Sequence, residues 1–517
     1  MKTLCINKRI FTIIILGILC AGSMGCAVFK IHHFERVSKR PDEVKTFFDL
    51  LDKTVQTAHV QNTSDFSVLG FPYLRANRFW AELGKNLHDD SQRTLWIESL
   101  RRLDVHARIK EIRNLPDEDL QKLSAQLHQP AHLSSLQSAG GPPNREEIIS
   151  RLQTYSKTFL EHDQSQDGFY ETLETALKKI PREYSTFQRI VGVYPLFSIP
   201  VFLGTKQSHK KFSDWHNTPV EKLKTFGTVK NFSPSEFLFF YFDDLAEMFS
   251  SSRRNSLGIP QLTDEEMKKL IIAFAPLYSQ DVAEDYDQFG EVVWKNGKVT
   301  VDTTKPAVYY FVSYAILKNQ PAVQLNYVIW YTGRFGPNSP WIERGSLDGI
   351  TVRITLDQNG LPLMLDTMNN CGCYHFFIPR RDKIKEIIPH PLTLAPFVPA
   401  WLPESYPEKN LHLRINSGWH QLQHISAGDT AEKTFNYQLL PYEVLESLPH
   451  DEDGRTESVF TPAGIMKNSQ RIEPLIFFSM GIPRIGFMRE RGHHAISMTG
   501  EAYFDDPRLF EKNFVFK

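Results

Sequence analysis

The strongest constraint on this chain is a change of hydrophobic period part-way along it. Up to about residue 220 the apolar residues recur at helical spacing, and beyond about residue 290 they alternate. PDEVKTFFDLLDKTV places Val44, Phe47, Phe48 and Leu51 on one face, with Asp42 and Glu43 favouring a helix start. LWIESLRRL (95–103) and PDEDLQKLSAQL (116–127) continue the pattern. Ser138 to Pro143 break it, and Asn144 with Glu147 forms an N-cap pair for a helix through Leu160. Ser233-Pro234-Ser235-Glu236 and Thr263-Asp264-Glu265-Glu266 fit the capping box, so helices are expected near 234–250 and 264–275. The apolar stretch Tyr194–Gly204, YPLFSIPVFLG, contains two prolines and is read as a buried loop; the sharper alternative is a lip that touches lipid or a hydrophobic ligand.

After that the period becomes two. VVWKNGKVTVD (292–302) reads as a hairpin on Asn296-Gly297, a dipeptide that tolerates the positive φ of a type I′ turn. VYYFVSYAIL (308–317) and VQLNYVIWYT (323–332) follow as strands. ITVRITLDQNGLPLMLD (350–366) is a second hairpin on Asn359-Gly360, with further strands at 373–378, 411–415, 421–425 and 433–439. The expected fold class is α+β: a mostly helical domain over 43–220, then an antiparallel sheet-dominated domain with flanking helices over 221–517. One antiparallel sheet is expected from about 290 to 440.

The chain has 517 residues, enough for two or three domains. Its net charge is −1, from 59 basic and 60 acidic side chains, and no dense Lys/Arg stripe occurs. Nucleic acid is therefore not expected as a partner, because tracking phosphates needs a basic face.

The first residues carry a different message. Lys2, Lys8 and Arg9 precede the uncharged run IFTIIILGILCAG (10–22), which has the length of a signal-peptide apolar core. Ser23-Met24-Gly25-Cys26 resembles the lipobox of bacterial lipoprotein signal peptides, with Gly25 in the small position before the cysteine. That resemblance implies a signal peptide over 1–25, lipidation of Cys26, and a lipid-anchored tether over 26–42. Ala27 in place of Asp after that cysteine implies the outer rather than the inner membrane. The alternative is an uncleaved helix, since Ile10–Phe29 is long enough to span a bilayer of roughly 30 Å. Either way the expected partner is a membrane of the cell envelope.

Motifs with well-known chemistry are missing: GxxxxGK[ST], GxGxxG, GxSxG and HExxH do not occur. The acidic run Asp281, Glu284, Asp285, Asp287 and Glu291 does not match an EF-hand, because Phe289 takes a ligand position, and it is read as a solvated loop. Arg489, Arg491, His493 and His494 in RERGHHAIS are read as an exposed turn around Gly492, or as an anion or metal site.

One cluster stands out, Asn369-Asn370-Cys371-Gly372-Cys373-Tyr374-His375. In an extended segment Cys371, Cys373 and His375 share a face, a donor set for zinc or copper. A fourth ligand is sought among His420, His424, His493 and His494, with His494 the preferred one. Two other readings compete. A disulfide is at the limit of extended geometry and needs a turn at Gly372, and both cysteines also suit small buried positions. The stretch LDGITVRITLDQNGLPLMLD with CGCYHFF resembles uncharacterised proteobacterial envelope proteins, which implies no activity. Two functions follow as expectations: a lipid-anchored binding or scaffolding protein of the envelope, or a metal- or thiol-dependent envelope enzyme built on this cluster.

Overall fold

The computed structural model describes residues 28, 30–128, 144–236, 242–390, 394–430 and 433–517, so the expected signal peptide and Cys26 lie outside the described residues. The fold is α+β. The chain forms two compact units, one from the described parts of 1–58, 65–86 and 96–181, the other from 59–64, 87–95 and 182–517.

In the first unit the helical faces fold as their spacing predicts. Helix Asp42–Thr57 buries Val44, Phe47, Phe48, Leu51 and Val55, and Phe48 stacks on Phe159 with centroids 5.3 Å apart. Asn144 caps helix Arg145–Gln164 by accepting from the Glu147 amide. Two features depart from expectation. A hairpin, Phe66–Val68 with Phe71–Ala76, sits among the helices. Residues 30–42 are also packed rather than a free tether: Ile31 and Phe34 are buried, and Arg40 donates to Asp163 at 3.0 Å and to the Gly70 carbonyl at 2.7 Å. Apolar residues three apart and a cation aimed at a buried carboxylate leave that segment little freedom.

The second unit is built on a ten-stranded sheet. Its spatial order is Phe376–Pro379, Pro362–Asn369, Gly345–Leu356, Gln320–Arg334, Ala307–Leu317, Phe435–Pro441, Thr228–Pro234, Leu277–Val282, Asn410–Ile415 and Leu422–Gly428. The sheet is mostly antiparallel, but three of its nine pairings are parallel: 410–415 with 277–282, and 435–441 with both 228–234 and 307–317. Strand Gln320–Arg334 shows why alternation alone could not reveal both faces. Tyr327, Ile329 and Tyr331 enter one apolar core, while Val328 and Trp330 enter another on the opposite face. A strand covered on both sides reads as a nearly continuous apolar run.

The turns separate into hits and misses. Asn296 and Gly297 have φ of +52° and +67°, as a type I′ turn requires, but their strands form a separate two-stranded sheet. At the second hairpin the Asp357 carboxylate accepts from the amides of Asn359 at 2.9 Å and Leu361 at 3.0 Å, so a longer Asx-type turn replaces the two-residue one. Thr263 and Glu266 form their capping box. Ser233–Glu236 does not. Ser233 and Pro234 finish a strand, and the Ser235 amide donates to the Tyr437 carbonyl, so the ladder takes the groups a helix start would use. The next helix is Phe242–Ser251.

The largest departure is YPLFSIPVFLG. It is not a buried loop but the first half of a 23-residue helix, Tyr194–His216, in which only Phe212 and His216 are buried. Pro195 sits in its first turn, where a missing N–H costs nothing. This helix belongs to the second unit, whose longest stretch is 182–517. Among the described residues no helix is long and apolar enough to cross a membrane.

Candidate functional site

Strand Pro362–Asn369 ends just before the cysteines, and the chain then turns. The Gly372 amide donates to the Asn369 carbonyl at 2.7 Å and the Asn369 amide to the Cys373 carbonyl at 2.9 Å. Gly372 has φ +93°, and a Cβ there would run into the Ala495 carbonyl, so only glycine fits. The chain therefore turns between the two cysteines instead of letting them alternate along a strand. Cys373 donates its backbone N–H to Cys371 Sγ at 3.4 Å, and its thiol donates to the same sulfur. Both cysteines are free thiols; Cys371 is 5% exposed and Cys373 half-buried.

That geometry parts the two thiols. The hydrogen bond from Cys373, with the charge of Arg334, holds Cys371 below the ordinary thiol range against the effect of burial. Cys373 moves up, because it gives its proton to Cys371 and is itself buried. Glu473 is pushed up to about 8 by burial, and then by the negative charges of Cys371 and Glu343. A thiol of lowered pKa thus stands beside one of raised pKa.

The histidines expected as ligands are committed elsewhere. His375 Nε2 lies 2.8 Å from Asp366, which also takes a two-pronged contact from Arg353 at 2.9 and 2.6 Å. His494 Nε2 donates to the Asn370 carbonyl at 3.2 Å, and burial drives this imidazole down to about 3, so it is neutral. His493 bridges Glu183 at 2.9 Å and the Thr63 carbonyl at 2.8 Å. His424 follows His420 onto strand Leu422–Gly428 opposite Arg414, while His420 precedes it with φ +52°, so the two do not share a face. Cys371, Cys373, His375 and His494 are not brought together as a zinc or copper site. Among the described residues no group of three or more His, Cys, Asp or Glu is able to hold a metal ion. The premise that failed is the extended backbone, which Gly372 interrupts.

Beside the thiols lies a buried chain of charges that the sequence did not suggest. Arg334 donates to both Asp348 oxygens at 2.9 Å and to Glu343. Glu343 also accepts from the indole of Trp419 at 2.9 Å and the hydroxyl of Tyr374. His420 reaches Asp348 through Nδ1 at 2.8 Å and Asp287 through Nε2 at 3.1 Å, with Tyr331 stacked on its ring at 3.8 Å. Burial disfavours its charged form, yet the hydrogen bonds and charges of the two carboxylates outweigh this and raise it. Asp287 further accepts from the Gly418 amide at 2.6 Å and the Ser417 hydroxyl at 2.9 Å. The acidic run is only partly a solvated loop: Glu284 and Asp285 are exposed, but Asp281 and Asp287 are fully buried. Nor is RERGHH an exposed turn, since Arg489, Glu490, His493 and His494 are all buried. No local signal marks these partners, because His420 is 133 residues from Asp287 and 72 from Asp348.

The opposite anomaly is on the surface. Helix Thr186–Val191 and the start of Tyr194–His216 expose Phe187, Ile190, Leu196, Phe197 and Leu203, the last three at 62, 51 and 60%. The turn Phe478–Met480 adjoins them: Arg189 donates to the Met480 carbonyl at 3.0 Å and Ser185 to the Gly481 carbonyl. The residues just before that turn add Ile472, Leu475 and Ile476, with Leu475 at 85%. Residues 190–204 carry no charge, and exposed Lys206, Lys210 and Lys211 follow them on the same helix. No family model, curated protein or solved structure matches this chain.

Proposed function

We propose that this protein works at a lipid surface of the bacterial cell envelope, as a binding or scaffolding protein tethered through its N-terminus and seated on the bilayer through the apolar ridge at 187–203 and 472–478. The exposed ridge carries the reading. Soluble monomers seldom leave this many large apolar side chains together in water, and such a patch marks a protein or membrane contact. Lipid is favoured over a protein partner by the arrangement of charge. An uncharged helical end followed by lysines suits an interfacial helix whose apolar side chains enter the acyl boundary while its cations meet anionic headgroups. Lipidation of Cys26 and an outer-membrane location belong to the same proposal.

The test is flotation of the chain lacking residues 1–26 with vesicles of phosphatidylglycerol, and separately with zwitterionic vesicles. The wild-type chain is expected to float with the anionic vesicles and less with the zwitterionic ones. Leu196→Asp with Leu203→Asp should weaken flotation by tenfold or more, since burying each leucine is worth roughly 1.5–3 kcal/mol. Absence of flotation with either vesicle, or equal flotation of the double variant, overturns the lipid reading. Cys26→Ser should separately abolish labelling of cells by a palmitate analogue; equal labelling leaves the uncleaved helix in its place.

A further inference from the structure

We propose that Cys371-Gly372-Cys373 is a reversible dithiol–disulfide centre oxidised by a peroxide, with Cys371 as the attacking thiolate and Cys373 as the resolving thiol. The inference stands apart from the lipid surface and rests on the turn. Two cysteines separated by one residue sit too far apart for a disulfide when extended, with Cα atoms spaced at about the upper limit of 6.8 Å. Here the obstacle is removed. The Gly372 amide on the Asn369 carbonyl and the Asn369 amide on the Cys373 carbonyl close the backbone around the glycine. Gly372 adopts φ +93°, and the Cys373 N–H already reaches Cys371 Sγ at 3.4 Å.

The surroundings choose which sulfur reacts first. Cys371 accepts both the Cys373 N–H and the Cys373 thiol, and feels the positive charge of Arg334, itself fixed by Asp348 and Glu343. Those contacts stabilise sulfur as thiolate, the form that attacks. Access chooses the oxidant. With Cys371 only 5% exposed, a protein or peptide disulfide cannot line up with its sulfur, whereas a molecule as small as hydrogen peroxide can approach it.

The chemistry balances with that one co-reactant. The Cys371 thiolate attacks one peroxide oxygen, the O–O bond breaks, and the hydroxide released takes a proton from solvent to leave as water. Cys371 is then a sulfenic acid. Cys373 sulfur attacks Cys371 sulfur, the S–O bond breaks, and the departing hydroxide leaves as water with the Cys373 proton. Two sulfurs have given up one electron each, and one peroxide has become two waters. An external dithiol reverses the change by thiol–disulfide exchange, attacking at the half-buried Cys373 sulfur rather than at Cys371.

The test uses the full-length protein. It is treated with hydrogen peroxide, unfolded, alkylated with N-ethylmaleimide and digested with trypsin, and the peptide 354–380 is weighed. Expected is loss of both alkyl labels, a mass lower by two hydrogens than the reduced peptide, and recovery of both labels after dithiothreitol. Cys373→Ser should trap sulfenic acid on Cys371, seen as a dimedone adduct, and Cys371→Ser should leave Cys373 unmodified at the same exposure. Retention of both labels after peroxide overturns the proposal, as does irreversible oxidation of the wild-type pair without a disulfide. An equal dimedone adduct on Cys373 in the Cys371→Ser protein overturns the assignment of roles. The main reading needs no variant, so misfolding of either serine form does not shelter it.

Discussion

Two segments of the second unit exchange the positions their composition suggests. Residues 194–204 carry no charge and are largely exposed; residues 489–494, RERGHH, are almost all polar or charged and lie largely inside. The contrast teaches that burial follows the availability of partners rather than polarity. Arg489 can be buried because Glu183 accepts from it at 3.1 Å and the Pro483 carbonyl at 2.5 Å. Leu196 and Leu203 stay outside because, among the described residues, no element of their own unit covers them.

The sharpest way to break this contrast is to remove a partner inside. Arg334→Met leaves Asp348 and Glu343 as buried carboxylates without their cation, and should cost about 3–5 kcal/mol of unfolding free energy. Urea unfolding measures it. A loss under about 1 kcal/mol would mean that the buried charges do not depend on one another as their geometry indicates.

Titration gives a smaller effect with a defined sign. His494 is neutral in the fold, with its value pushed down to about 3 by burial against 6.5 unfolded. Its contribution is therefore complete above about pH 6.5 and is lost as the pH falls toward the folded value. His420 has the opposite sign. Its value is raised in the fold, so its contribution is complete below about pH 6.5 and is lost as the pH rises through the folded value. His494→Gln, which keeps a donor for the Asn370 carbonyl, should flatten the loss of stability between pH 6.5 and 4 by about 1–3 kcal/mol. His420→Gln should leave that acid limb in place and flatten the alkaline side. Thermal midpoints across pH check both. A slope unchanged in either variant would remove that histidine from the account.

The smallest effect belongs to the outside. Leu475→Ser at an 85% exposed position should change unfolding free energy by no more than about 0.5 kcal/mol, and Leu196→Ser should behave likewise. If either loses 2 kcal/mol or more, the ridge is part of a folded core and the contrast with RERGHH disappears.

Much of the local structure was legible because its causes are local. The face of Val44, Phe47, Phe48 and Leu51, the N-cap at Asn144, the capping box at Thr263 and the turn at Asn296-Gly297 each depend on residues within one or two turns, and each forms. The change of period gave the α+β class for the same reason. Where local signals failed, a distant strand had claimed the same groups. Ser233–Glu236 carries a helix-start pattern, yet strand Phe435–Pro441, some two hundred residues on, takes its backbone into a ladder.

The cysteine cluster divides along the same line. The sequence by itself determined that two thiols and a glycine stand together and that a turn at Gly372 decides between a metal face and a sulfur pair. The Asn369 hydrogen bonds that close the turn are local, and what only the tertiary structure added is the distant Ala495 carbonyl, which leaves no room for a Cβ at Gly372. Likewise the sequence determined that 194–204 is apolar, while its exposure and the burial of Arg334, Asp348, Asp287 and His420 were settled by which elements met. Periodicity fixes a residue's face within an element, but the free energy of burying it depends on what lies opposite, and that is a property of the assembled fold.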